Sequence, residues 1–223
     1  MITKAERFGR VIEYFTELRP EPVTELGYGS AFELLVATIL SAQCTDKRVN
    51  MITPLFFERF PDVEALAGSM EQDVFKVIRS CSYPNSKANH LVRMAVMLKE
   101  KFGGQVPDEP EQLMKLPGVG RKTAHVVASV VFSKPVLAVD THVFRVAARI
   151  GLTSRARTPY EAEKQLMKYF PAAILHKAHH WLILHGRYIC QARRPECEKC
   201  GLTDICRYYQ RLKNNAGQRT IRD

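Results

Sequence analysis

Leu116-Pro117-Gly118-Val119-Gly120-Arg121-Lys122-Thr123-Ala124 places a glycine hairpin directly before a helix start. Gly118 and Gly120 can take backbone angles closed to other residues, so a tight turn can form there with its amides uncovered. From Arg121 to Phe132 the pattern is helical, with Ala124, Val127, Ala128 and Val131 on one face. Free amides just ahead of a helix N-terminus bind phosphate readily. Lys122 falls in the first turn of that helix, where the positive dipole end disfavours its protonated form. A partly neutral lysine can attack a sugar carbon or a carbonyl. Taken alone, a G-x-G is a weak signal and most lysines are solvated surface charges. Eighteen residues past Lys122 stands Asp140, in Val139-Asp140-Thr141-His142. It precedes a helix over Thr141–Ile150 with Val143, Val146, Ala147 and Ile150 on one side, so its plain reading is an N-cap.

Helical periodicity extends outward from this stretch. Glu6–Leu18 carries Phe8, Val11, Ile12, Phe15 and Leu18 on one face, and Ala31–Leu40 is apolar almost all round, which predicts a buried central helix. Ser69 with Gln72 reads as a capping box opening a helix to about Ser80. Ser86–Phe102 is predicted to stop at Gly103-Gly104, and Pro110–Leu116 to lead into the hairpin. Thr158-Pro159-Tyr160-Glu161 combines an N-cap, an N1 proline and an N3 glutamate. Pro171 separates that helix from one running through Trp181 to Tyr188. No alternating strand pattern competes. The fold class is all-α.

At 223 residues, 46% hydrophobic and 25% charged, the chain can bury a substantial core as one large domain or two small ones. No apolar stretch reaches the ~20 residues of a membrane span. The formal charge of +10 favours a polyanionic partner. Nine Lys/Arg against three Asp/Glu fall between Arg187 and Arg222, so basic charge is concentrated near the C-terminus.

That same region holds Cys190, Cys197, Cys200 and Cys206, spaced C-x6-C-x2-C-x5-C. Thiolates gathered this tightly need a metal centre or two disulfides. No signal peptide opens the chain, so a reducing cytosol is expected and a metal favoured. Zinc sites usually pair two C-x2-C knuckles and here Cys197 and Cys200 make one. A single loop supplying all four thiolates suits a [4Fe–4S] cluster at least as well. Cys44 and Cys81 are distant in sequence, and Cys44 reads as a small buried side chain.

The hairpin Leu116–Ala124, the downstream Val139-Asp140-Thr141-His142-Val143 and the cysteine loop together resemble the endonuclease III family of helix-hairpin-helix DNA glycosylases and abasic-site lyases. Leu40-Ser41-Ala42-Gln43-Cys44-Thr45-Asp46 and Asn85-Ser86-Lys87-Ala88 share in the likeness, which spans nearly the whole chain to Cys206. The resemblance implies a helical barrel domain at 25–135 containing the hairpin. A second domain, of residues 1–24 and 136–223, would carry a [4Fe–4S] cluster on the four cysteines. It further implies base excision repair on double-stranded DNA, with removal of oxidised pyrimidines and β-elimination at the abasic site by a monomeric cytoplasmic protein. Lys122 matches the family's Schiff-base lysine and Asp140 its catalytic carboxylate, the two lining a cleft between the domains.

Gly118, Val119 and Gly120 match the family's DNA-backbone contacts, and Gln43 the residue that fills the gap left by an extruded base. Arg193 and Arg194, inside the cysteine loop, are expected phosphate contacts. His142 is expected to be a hydrogen-bonded structural histidine. Two departures stand out. Ser82-Tyr83-Pro84 replaces the family's usual Gly-Leu-Tyr, placing Tyr83 at the second wedge position, and His125 stands where asparagine is usual. The adenine-mismatch glycosylases carry a glutamate where this chain has Ile39, and both they and the thymine-mismatch relatives replace the lysine at 122. From another class, a non-catalytic DNA-binding module with structural zinc would also explain the charge and the cysteines.

Overall fold

The computed structural model describes residues 2–219. Arg222, counted above in the basic C-terminal stretch, lies outside the described residues. Every regular element among the described residues is helical. Two compact units form, one from Thr24–Lys134 and one from Met1–Val23 together with Pro135–Asp223.

In the first of these units, α2 (Ala31–Ser41) is the axis: Phe32 and every residue from Leu34 to Leu40 are buried. A helix apolar on every side has no solvated face, so its neighbours must surround it. It packs against α3 (Asp46–Arg59), α6 (Pro84–Phe102) and α8 (Arg121–Phe132). Helices α4 (Val63–Ala67) and α5 (Glu71–Ile78) lie along α6, and the short α7 (Pro110–Leu113) packs on α8. The expected capping box at Ser69 does not form. Ser69 Oγ instead donates to the Leu66 carbonyl, closing α4, while Met70 precedes α5 without a side-chain cap. α6 ends where Gly103 turns left-handed (φ 58°) and the Gly104 amide reaches back to the Leu98 carbonyl at 3.0 Å.

The other unit joins α1 (Lys4–Leu18) to α9 (Thr141–Ile150), α10 (Pro159–Met167), α11 (Leu175–Tyr188) and α12 (Arg207–Arg219). Thr3 and Glu6 cap α1 reciprocally, and Thr158 caps α10 as its sequence predicts. Phe8, Val11 and Phe15 are buried with Val143, Val146, Leu166, Trp181 and Leu182. Phe15 stacks on Trp181, ring centroids 5.8 Å apart, and the indole N–H donates to the Arg19 carbonyl at 2.7 Å. Gly186 lets α11 approach α9, since a Cβ there would lie 2.9 Å from that of His142.

Candidate active site and cysteine loop

The hairpin is a tight turn of four residues. The Val119 amide donates to the Leu116 carbonyl at 3.1 Å, with Pro117 and Gly118 at the corners and Gly118 at φ 78°. That geometry is a type II turn, which requires positive φ at its third residue. A Cβ on Gly118 would also lie 2.9 Å from His90 Cβ on α6. The two glycines do different work, contrary to the common role expected of them. Gly120 has ordinary extended angles (φ −87°, ψ 175°), and a Cβ there would meet open space. Its value is a bare backbone: it begins α8 without a side-chain cap, leaving the approach to the first turn clear. Lys122 is exposed on that turn, whereas His125, three residues on, is buried in the unit's core.

Asp140 is the N-cap of α9. Its Oδ1 accepts from the Val143 amide at 2.8 Å, which fixes the carboxylate's direction. His142 behaves as the structural residue expected, its Nδ1 accepting from Arg145 Nη2 at 3.2 Å. Ile39 is buried in α2.

The two segments expected to enter DNA lie side by side. Gln43, exposed after α2, and Tyr83, 64% exposed before α6, both adopt φ 54°. Left-handed angles in non-glycine residues are uncommon, and at Tyr83 the following proline makes them less favourable still. Ser82 Oγ donates to the Gln43 carbonyl at 2.6 Å. Buried Lys87 donates from Nζ to the carbonyls of Leu40 (2.7 Å) and Ala42 (2.8 Å). Burial lowers that lysine's pKa below its usual range. Sequence reasoning missed both clamps. Cys44 and Cys81, set aside as distant in sequence, have sulfurs 4.0 Å apart here, and Cys44 is half-buried instead of buried.

All four C-terminal cysteines are free thiols bordering one shared pocket, together with His185, Ile189, Pro195 and Tyr208. Burial pushes the Cys200 thiol up to about 11, and the neighbouring thiols add to the shift. Arg149 organises this loop from α9. It donates to the carbonyls of Gln191 (2.6 Å) and Ala192 (2.7 Å), approaches Cys190 Sγ at 3.5 Å, and lies over the Tyr208 ring at 4.5 Å. Arg145 adds a bond to the Cys190 carbonyl at 3.2 Å. Gly201 lies against Tyr14 of α1, where a Cβ would come within 2.5 Å of the ring. Arg193 and Arg194 are exposed at the loop's outer edge.

A family model described as HhH-GPD superfamily base excision DNA repair protein matches residues 36–172. Endonuclease III of Rickettsia felis is 45% identical over 206 residues, covering 92% of this chain and 96% of that protein. This chain belongs to the endonuclease III family. Endonuclease III of Escherichia coli is 41% identical over 217 residues, 95% of this chain and 99% of its own. A solved endonuclease III, trapped as a covalent intermediate with DNA, superposes with a TM-score of 0.90 at 39% identity, covering 96% of this chain and 100% of that one. No helix among the described residues is long and apolar enough to cross a membrane.

Proposed function

We propose that this protein is a bifunctional DNA glycosylase and abasic-site lyase of base excision repair, acting on oxidised pyrimidines in duplex DNA in the cytoplasm. The observation that carries the reading is Lys122 exposed on the first turn of α8, behind the uncapped Gly118–Gly120 turn. The Gly118 and Gly120 amides bind the DNA backbone and hold it against the helix N-terminus, while the Val119 amide closes the turn on Leu116. The target nucleotide is extruded, because its glycosidic bond is out of reach within the stack.

The Lys122 amine then attacks C1′. A C–N bond forms to the protein as the bond to the damaged base breaks, and the base leaves with the electron pair. The Asp140 carboxylate, its direction fixed by the α9 cap, opposes the positive charge that grows on the sugar. Loss of a proton from nitrogen and ring opening, with O4′ taking up a proton, give the Schiff base; loss of a C2′ proton then expels the 3′ phosphate as the C3′–O bond breaks. Gln43 and Tyr83 fill the gap left in the stack, and Arg193 and Arg194 contact phosphates.

Cys190, Cys197, Cys200 and Cys206 would hold a [4Fe–4S] cluster. Four free thiols around one shared cavity support this fit. When bound, the cluster supplies four metal–sulfur bonds that brace the basic loop. Arg149 and Arg145 position that loop from α9.

Borohydride trapping on abasic and thymine-glycol duplexes tests the reading. Wild-type protein should cross-link, and Lys122→Ala should bind the same duplex without cross-linking. Efficient trapping by Lys122→Ala would assign the chemistry to another amine.

A further inference from the structure

Cys44 and Cys81 are brought together by the packing of the segments that follow α2 and α5, their sulfurs 4.0 Å apart. They belong to the Thr24–Lys134 unit and are separate from the four cysteines of the C-terminal loop. Cys44 is partly exposed and Cys81 is 5% exposed, so an oxidant in solution meets Cys44 first. Each thiol adjoins a residue proposed to enter DNA. Cys44 directly follows Gln43, and Cys81 directly precedes Ser82 and Tyr83.

We propose that Cys44 and Cys81 form a reversible disulfide in response to hydroperoxides, and that this link withdraws Gln43 and Tyr83 from their DNA-entering arrangement. The inference rests on the reading that these two residues enter the duplex. The Cys44 thiolate attacks a hydroperoxide, forming an S–O bond as the O–O bond breaks and alkoxide or hydroxide leaves to be protonated. The Cys81 thiol then attacks the sulfenic sulfur, so that the S–S bond forms, the S–O bond breaks and water departs with the thiol's proton. Two thiols are oxidised and one peroxide is reduced. An external thiol restores the pair by exchange.

Burial pushes the Cys81 thiol up to about 11, with Cys44 contributing, so Cys81 rests protonated and serves as the resolving thiol once Cys44 has been oxidised. The geometry explains why the link would disturb binding. A disulfide needs sulfurs about 2.05 Å apart, roughly half the present separation. The two segments cannot simply slide together. Ser82 Oγ to the Gln43 carbonyl (2.6 Å) and Lys87 Nζ to the Ala42 carbonyl (2.8 Å) are already at close contact. Any backbone movement that closes the sulfur gap strains these two bonds and so disturbs the loop at Gln43.

The test uses the intact protein with its cluster, reduced and then treated with limiting hydrogen peroxide. Cluster absorbance is followed throughout, to separate this event from cluster loss. Peptide mass mapping should find Cys44 joined to Cys81 with loss of two hydrogens. Affinity for a lesion duplex should fall about tenfold, the scale of one lost stacked side chain, and return with a thiol reductant. Cys81→Ser and Cys44→Ser proteins should keep the reduced protein's affinity after the same treatment. Absence of the link would overturn the proposal, as would a link without an affinity change or an equal fall in both serine variants. If reduced wild-type protein binds no lesion duplex, the functional reading fails and the switch with it.

Discussion

The Ser82 hydroxyl donates to the Gln43 carbonyl across 2.6 Å, joining residues 39 positions apart in the chain. Both flanking conformations are strained: Gln43 and Tyr83 each sit at φ 54°. Left-handed non-glycine residues cost on the order of 1–3 kcal/mol each and persist where their surroundings over-determine them. Ser82 and Lys87 supply that determination from the α6 side. The two residues proposed to fill the gap in DNA are thus held as one device.

Ser82→Ala should lower affinity for lesion duplexes by roughly three- to tenfold, as expected for one hydrogen bond of about 0.5–1.5 kcal/mol. Trapping per bound complex should be retained. Tyr83→Ala should weaken lesion-duplex binding more than binding to single-stranded abasic DNA. Equal losses on both substrates in a binding titration would remove Tyr83 from the gap.

The two hairpin glycines should separate in mutagenesis. Gly118→Ala places a Cβ at a positive φ and 2.9 Å from His90, and should destabilise the fold by about 1–3 kcal/mol in denaturant unfolding. Gly120→Ala meets no neighbour and no strain, so stability should hold while DNA affinity falls, because the methyl stands where the backbone must approach phosphate.

At position 140 the cap and the charge can be told apart. Asp140→Asn keeps an acceptor for the Val143 amide and should leave thermal stability nearly unchanged, while slowing base release by at least about a hundredfold, typical of lost electrostatic stabilisation. Asp140→Ala should be as slow and also less stable by about 0.5–2 kcal/mol. Single-turnover kinetics beside a melting curve checks both.

Arg149→Ala removes the clamp on the Gln191 and Ala192 carbonyls. Iron content and the yellow-brown colour should fall under mild chelation faster than in wild type, with DNA affinity following. Cys197→Ser should lose iron outright. Stoichiometric zinc in anaerobically purified protein would contradict the cluster assignment.

Much of this was legible in the sequence, and where it was not the cause is specific. The all-helical fold, the Asp140 and Thr158 caps and the Gly118 turn follow from local rules, because each depends on residues within four positions of one another. The Ser69 box failed because its hydroxyl had a nearer acceptor in the preceding helix, at Leu66. Helix α3 escaped notice because Pro54 interrupts its pattern, and α12 because it is so polar. The clamps from Ser82, Lys87 and Arg149, and the meeting of Cys44 with Cys81, join distant segments and leave no periodic trace.

Helix α1 is synthesised well before its partners, because its apolar face is completed by Trp181 and the rest of a unit whose remainder begins at Pro135. On the ribosome, Phe8, Val11 and Phe15 emerge more than a hundred residues before those partners, while the intervening unit has its full sequence available by Lys134. Contacts of such sequence separation are slow to form, and an unpaired apolar stripe is open to association in the meantime. Moving α1 to follow α12 by circular permutation should let that helix meet its partners as it is made, so birth order as well as packing bears on how fast this chain matures.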